Sequence, residues 1–142
     1  MFKSILVPID LASDADDGRA IEAAAILARP SGATLHLVTV VPDFGMAVVG
    51  SYFEAGYEKK VLADTREKLD GYSGRAMPSD VKVATHVAHG SIYREIIRVA
   101  NELGCDAIVM AAHRPELSDY LLGPNAARVV RHADQSVFVI RS

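Results

Sequence analysis

The chain has 142 residues, half of them hydrophobic and 23% charged, with a formal charge of −3. That length makes one domain, residues 1–142, with room for a core of its own, and the acidic balance argues against broad nucleic-acid binding, which shows a strong basic excess. No apolar run approaches the roughly 18 residues of a membrane span, the opening MFKSILVPID lacks the apolar segment of a secretion signal, and the single Cys105 excludes an internal disulfide. A cytoplasmic protein is the expectation.

Phe2–Ile9 is nearly continuous apolar sequence, as in a strand covered on both faces of a parallel sheet. Asp10 stands at its carboxyl end. Ser13 is the expected N-cap of a first helix with acids in its first turn. Ile21, Ala24, Ala25 and Ala28 give that helix an apolar face, and Arg29-Pro30-Ser31-Gly32 stops it. Thr34–Val41 reads as the second strand and Pro42–Gly50 as a loop. Ser51–Tyr72 reads as a longer helix with Val61, Leu62, Thr65 and Leu69 on one side, and Gly71–Pro78 as a turn-rich connection.

Val81–Ala88 alternates, with Val81, Val83, Thr85 and Val87 on one face and Lys82 and His86 on the other. Alternation marks a half-exposed strand at a sheet edge. Ile92, Ile96, Val99, Ala100 and Leu103 form the stripe of the next helix, which Gly104 ends. Ala107–Ala111 is the fourth strand. The polar loop His113-Arg114-Pro115-Glu116 follows, and then Gly123-Pro124-Asn125 opens the last helix, whose core face is Ala126, Val129, Val130 and Ala133. Ser136–Ile140 is the fifth strand.

Strands alternate with helices throughout, which is the pattern of an α/β fold with a parallel sheet and right-handed crossovers. Ligands of such sheets lie beyond the carboxyl ends of the strands, where the strand order reverses. With the third strand at an edge and the first central, the fourth strand returns to lie beside the first, and the crevice falls between Asp10 and Ala111–Arg114. The helix start at Gly123 points to the same place, because free N–H groups and the positive helix end attract anions. A nucleotide phosphate is the anion expected there.

Asp10 at that position accepts hydrogen bonds from a ribose or adenine, or holds magnesium through water; equally, it caps the following turn. Gly123-Pro124 has a purely structural explanation as a helix start; the phosphate reading needs N–H donors from Gly123, Asn125 and Ala126. Arg114 is either a phosphate partner or a solvated loop residue. His36, mid-strand, and His86, on an edge strand, read as packing or surface residues, and the five histidines show no metal-binding spacing. Cys105 reads as buried and inert. The chain has no G-x-x-x-x-G-K-[ST] loop, no G-x-G-x-x-G after its first strand and no G-x-S-x-G. The residues therefore describe a binding site more readily than a catalytic one.

The opening ILVPID, the strand LHLVTV, the HGS turn before the third helix and the block AAHRPELSDYLLGPNAARVVRHADQSVFVIR resemble, in order, the universal stress protein family over essentially the whole chain. The final block is the most specific part. The resemblance implies a Rossmann-like sheet of order 3-2-1-4-5 between helices, of the adenine-nucleotide-alpha-hydrolase type. It implies a homodimer paired through Ser136–Ile140. It implies that ATP or another adenine nucleotide is bound, with magnesium on its phosphates, and that the protein acts in the stress response by binding. Carried over, Pro8, Ile9, Asp10 and the Leu37 region face the nucleoside, while Ala111, His113, Arg114, Gly123, Pro124 and Asn125 face the phosphates. The family's G-x-x-G, spacer, G-[ST] pattern is altered: Ala111 replaces the first Gly, Arg114 the second and Pro124 the Ser/Thr. Weakened binding, in which AMP or ADP competes well with ATP, is the consequence expected. The alternatives are a dimer that has lost its nucleotide and a very slow ATPase or self-phosphorylating protein.

Overall fold

Five short runs rich in Val, Ile, Leu and Ala form β1 (Ser4–Pro8), β2 (Thr34–Pro42), β3 (Lys82–Gly90), β4 (Ala107–Ala112) and β5 (Ser136–Arg141). The helices between them are α1 (Gly18–Ala28), α2 (Tyr57–Ala76), α3 (Ile92–Glu102) and α4 (Gly123–His132). The structure is a computed structural model that describes residues 1–11, 17–42, 56–112 and 123–141. The expected N-cap Ser13, the loop from Pro42 onward and the first turns of the helix expected from Ser51 fall outside those residues, apart from Pro42 and Gly56.

All strand pairs are parallel and the order is β3-β2-β1-β4-β5, as expected. β1 is held at its start by Asp106, whose carboxylate accepts from the N–H groups of Lys3 and Ser4 at 2.9–3.2 Å. Successive strand residues point to opposite faces, so the sheet carries two cores. Ile5, Val7, Leu35, Leu37 and Val109 pack against α1 and against Leu69 of α2. Leu6, Val38, Ile108 and Met110 pack against Ile96, Val99 and Ala100 of α3 and Ala126 and Val129 of α4. β4 is apolar at every position, and β1 at every position after Ser4, because both faces are covered.

Two chain reversals use left-handed glycines. Gly32 (φ 64°) follows the short turn Arg29–Ser31 after α1, and Gly104 (φ 65°) follows α3, where a side chain would be strained. Two expectations fail. The connection expected at Gly71–Pro78 is helical to Ala76, and the amide of Met77 still donates to Ser73 O at 3.1 Å. Gly71 and Gly74 each cost a helix about 1 kcal/mol against Ala, but Tyr72 and Met77 pack onto the core and hold these turns in place. Val130 was expected in the core and is 52% exposed. It lies about 100° around the helix from Val129, outside the stripe that meets the sheet.

β3 is an edge strand, as its alternation predicts, and only Ala88 in it is buried. Its His86 reaches His36 of β2. The His36 Nδ1 and His86 Nε2 atoms are 2.9 Å apart, so one imidazole donates to the other. Burial holds both rings below the ordinary histidine range, and for His86 the positive charges of His36 and Arg66 add to this. The folded chain therefore takes up protons less readily than the unfolded chain. The stability from the neutral pair is complete above about pH 6.5, the unfolded value, and is lost as pH falls from there through the lower folded values. The His36→Gln/His86→Gln variant is expected to show a flatter acid limb in chemical unfolding curves than the parent. An unchanged limb would assign the acid sensitivity to other groups.

Candidate functional site

β4 pairs with β1 only through Ile5 with Ala107 and Leu6 with Ile108. Above those pairs β1 continues to Pro8 and β4 to Ala112, each bonded only to its outer neighbour, so a gap opens between their carboxyl ends. This is the reversal point of the strand order, where α/β sheets bind ligands. On the β1 side, Ile9 N–H donates to Val38 O at 2.7 Å and Asp10 N–H to the Asp17 carboxylate at 3.4 Å. These bonds fix Pro8-Ile9-Asp10 as a firm lip.

A small slot runs behind that lip, with a volume of about 20 Å³, lined by Pro8, Ile9, Asp10, Val38, Thr39, Val40, Ile92 and Ile96. Such a volume is about that of a single water probe. A flat base can enter only if a lining side chain turns, and Ile92, half-buried at the start of α3, borders the slot. A much larger cavity of about 660 Å³ lies on the other side of Asp10, lined by Asp10, Leu11, Asp17, Asp64, Glu67, Lys68, Gly71, Tyr72 and Arg75. Its size suits a ligand, but four carboxylates against two cations repel phosphates. Asp10 borders both spaces.

On the far side of the gap, α4 begins at Gly123, as the sequence predicts, and Pro124 lies in its first turn. Asn125 is 8% exposed and Ala126 is buried. The first-turn N–H groups and the helix dipole make this end electropositive. His113 and Arg114 lie outside the described residues.

Two expected residues are placed differently from their expected roles. Leu37 is fully buried under α1 and α2 rather than at the slot, because its side chain shares a face with Leu35. Val38, Thr39 and Val40 supply the β2 wall instead. The alternation of β2 carried that signal for Val38 and Val40, which lie an odd step from Leu37 and so on the α3 face. Ala111 is the second-to-last residue of β4, its side chain belongs to the core on the α1 side, and the half-buried Ala112 ends the strand. Ile92 and Ile96 were read only as a helix stripe; that they also border the slot depends on where α3 crosses the sheet.

The remaining reactive side chain stands apart. Cys105 is 5% exposed, and its Sγ accepts from Ser4 Oγ at 3.4 Å. Burial pushes its thiol up, which disfavours the reactive thiolate. Among the described residues, no group of three or more His, Cys, Asp or Glu is arranged to hold a metal ion, and no helix is long and apolar enough to cross a membrane.

Comparison with known proteins agrees with this architecture. The model of the universal stress protein family matches residues 1–141. Universal stress protein G of Shigella flexneri is 31% identical over 145 residues, covering 99% of this chain and all of that protein. The solved structure of MJ0577, named as a universal stress protein of Methanocaldococcus jannaschii, superposes with a TM-score of 0.79 at 22% identity, covering all of this chain and 97% of that one. The universal stress protein of Archaeoglobus fulgidus in complex with dAMP superposes with a TM-score of 0.60 at 20% identity, covering 97% of both chains. The chain belongs to the universal stress protein family.

Proposed function

We propose that this protein binds an adenine nucleotide between β1 and β4 and acts by that binding rather than by turnover. The observation that carries this reading is the parting of β1 from β4 above Leu6 and Ile108, with the slot on one side and the start of α4 on the other. The base enters the slot between Ile9 and Val40, Asp10 accepts from the ribose, and the phosphates meet the first-turn N–H groups at Gly123, Asn125 and Ala126. Arg114 and His113 face the phosphates from the preceding loop. Magnesium, where ATP is bound, sits on the phosphates and reaches Asp10 through water. The dAMP complex of the Archaeoglobus fulgidus relative supports this choice of ligand class.

Pro124 supplies neither N–H nor hydroxyl, and each lost donor removes about 1 kcal/mol, more toward a charged phosphate. A monophosphate loses least by this, so AMP and ADP compete with ATP. The test is native mass spectrometry of gently purified protein, followed by identification of any released small molecule and by calorimetric titration with AMP, ADP and ATP with magnesium. One nucleotide per subunit is expected. A protein that binds none at millimolar ATP and magnesium is instead a structural dimer with a closed site, the reading that the small slot and Pro124 favour.

A homodimer through β5 completes the proposal. β5 is an edge strand whose Val137, Phe138, Val139 and Ile140 are only half-buried in the single chain. Phe138 meets Phe2 edge-to-face at 5.7 Å. An apolar edge of this kind invites pairing with a second strand. Phe138→Asp is expected to yield a monomer by sedimentation; a dimer that persists places the interface elsewhere.

A further inference from the structure

α3 and α4 lie on the same face of the sheet, and an aromatic ring stands where they meet. Tyr93 of α3 is half-buried. The Arg94 and Arg128 guanidinium carbons lie 5.6 and 5.5 Å from its ring centre, and the His132 ring centre is 5.7 Å away at a tilt of 34°. Arg94 Nε also donates to the Tyr93 hydroxyl at 3.0 Å. Arg128 and His132 are four residues apart and so share one stripe of α4. Arg131 is exposed beside them.

Among the described residues, none of Arg94, Arg128 and Arg131 has a carboxylate within ion-pair distance, Asp134 included. The contrast is within α3 itself. Arg98, one turn beyond Arg94, is held by both Glu95 at 2.8 Å and Glu102 at 2.7 Å. A chain with three more acids than bases thus gathers uncompensated cations around one aromatic ring. The ring holds two guanidiniums in place but neutralises neither. Fixed, unneutralised guanidiniums beside an aromatic face are the composition of surfaces that bind carboxylates.

We propose that the surface formed by Tyr93, Arg94, Arg128, Arg131 and His132 docks an acidic, carboxylate-rich peptide segment of a partner protein. The overall charge selects this occupant over a nucleic acid. A local cluster acts within a Debye length of about 8 Å and attracts a short acidic segment. A long polyanion reaches past the patch and meets the net-negative remainder of the molecule. The surface shares no residue with the proposed nucleotide site, although Tyr93 follows Ile92 and Arg128 lies one turn beyond Asn125.

The test is fluorescence anisotropy of the full chain with a fluorescein-labelled peptide of alternating Glu and Gly at low salt. Saturable binding that weakens as salt is raised is expected. Arg94→Glu/Arg128→Glu is expected to weaken it more than tenfold. Lys59→Glu, an exposed cation on α2, makes the same kind of charge change elsewhere and is expected to alter binding less than twofold. Circular dichroism and thermal melting verify that each variant is folded, and Arg94→Gln/Arg128→Gln replaces the reversal if it does not fold. The proposal is overturned by a lack of saturable binding, or by equal loss in Lys59→Glu. It is also overturned if a single-stranded oligonucleotide binds the same residues more tightly than the peptide, or if the patch variants abolish self-association instead.

Discussion

Leu69→Ala is expected to destabilise the protein by about 2–5 kcal/mol, the range for emptying a buried leucine site. Leu69 is the only buried residue among the 20 residues of α2, and it is completely shielded from solvent. The rest of the helix rests on half-buried contacts from Val61, Leu62, Thr65 and Tyr72 and on polar contacts at its surface. One such contact is the bond from the Thr85 hydroxyl to the Asp70 carboxylate at 2.5 Å. α1, by comparison, buries five residues. The loss should therefore be partly local, because α2 has little else to hold it against Leu35, Leu37 and the inner face of β3. Denaturant unfolding measures the total, and hydrogen exchange measures its distribution. Exchange should quicken in α2 well before it quickens in β1 and β4. Uniform acceleration through the sheet would show that α2 and the sheet open as one unit, and a loss below about 1 kcal/mol would show that the helix is carried by its surface contacts.

Asp10→Ala is expected to weaken adenine-nucleotide binding by about 1.5–3 kcal/mol, the range for a hydrogen bond to a charged group, or roughly ten- to more than hundredfold in Kd. The substitution keeps the backbone N–H that Asp10 donates to Asp17, so the lip should hold its shape. Calorimetric titration with AMP separates the two possible roles of Asp10. Equal losses for adenosine and AMP indicate a ribose contact. A loss confined to ATP with magnesium indicates that Asp10 acts through the metal. An unchanged affinity for every ligand removes Asp10 from the site.

Much of the candidate site was legible because it is local. Ile5–Ile9 is uninterrupted apolar sequence, as a covered parallel strand requires, and Asp10 stands just beyond it. Gly123-Pro124 is a helix start by its own chemistry, whatever surrounds it. The edge position of β3 was written in its alternation, and the full order of the sheet was implied by the family resemblance. Within the Leu37 region the face of each residue was not legible without the sheet. Leu37 has the right neighbours in sequence, but the two-residue period turns it into the core and brings Val38 and Val40 to the slot.

The sequence by itself determined which segments are strands and which stripes of the helices are apolar, because each follows from periodicity or from one turn of backbone chemistry. Only the tertiary structure decided what depends on packing between distant segments. It turned Gly71–Ala76 into helix by seating Tyr72 and Met77 on the core. It brought His36 to His86 across 50 residues and assembled Arg94, Arg128 and His132 around Tyr93 from two helices. No local pattern encodes those meetings, since they depend on how far each helix slides along the sheet before its side chains interlock.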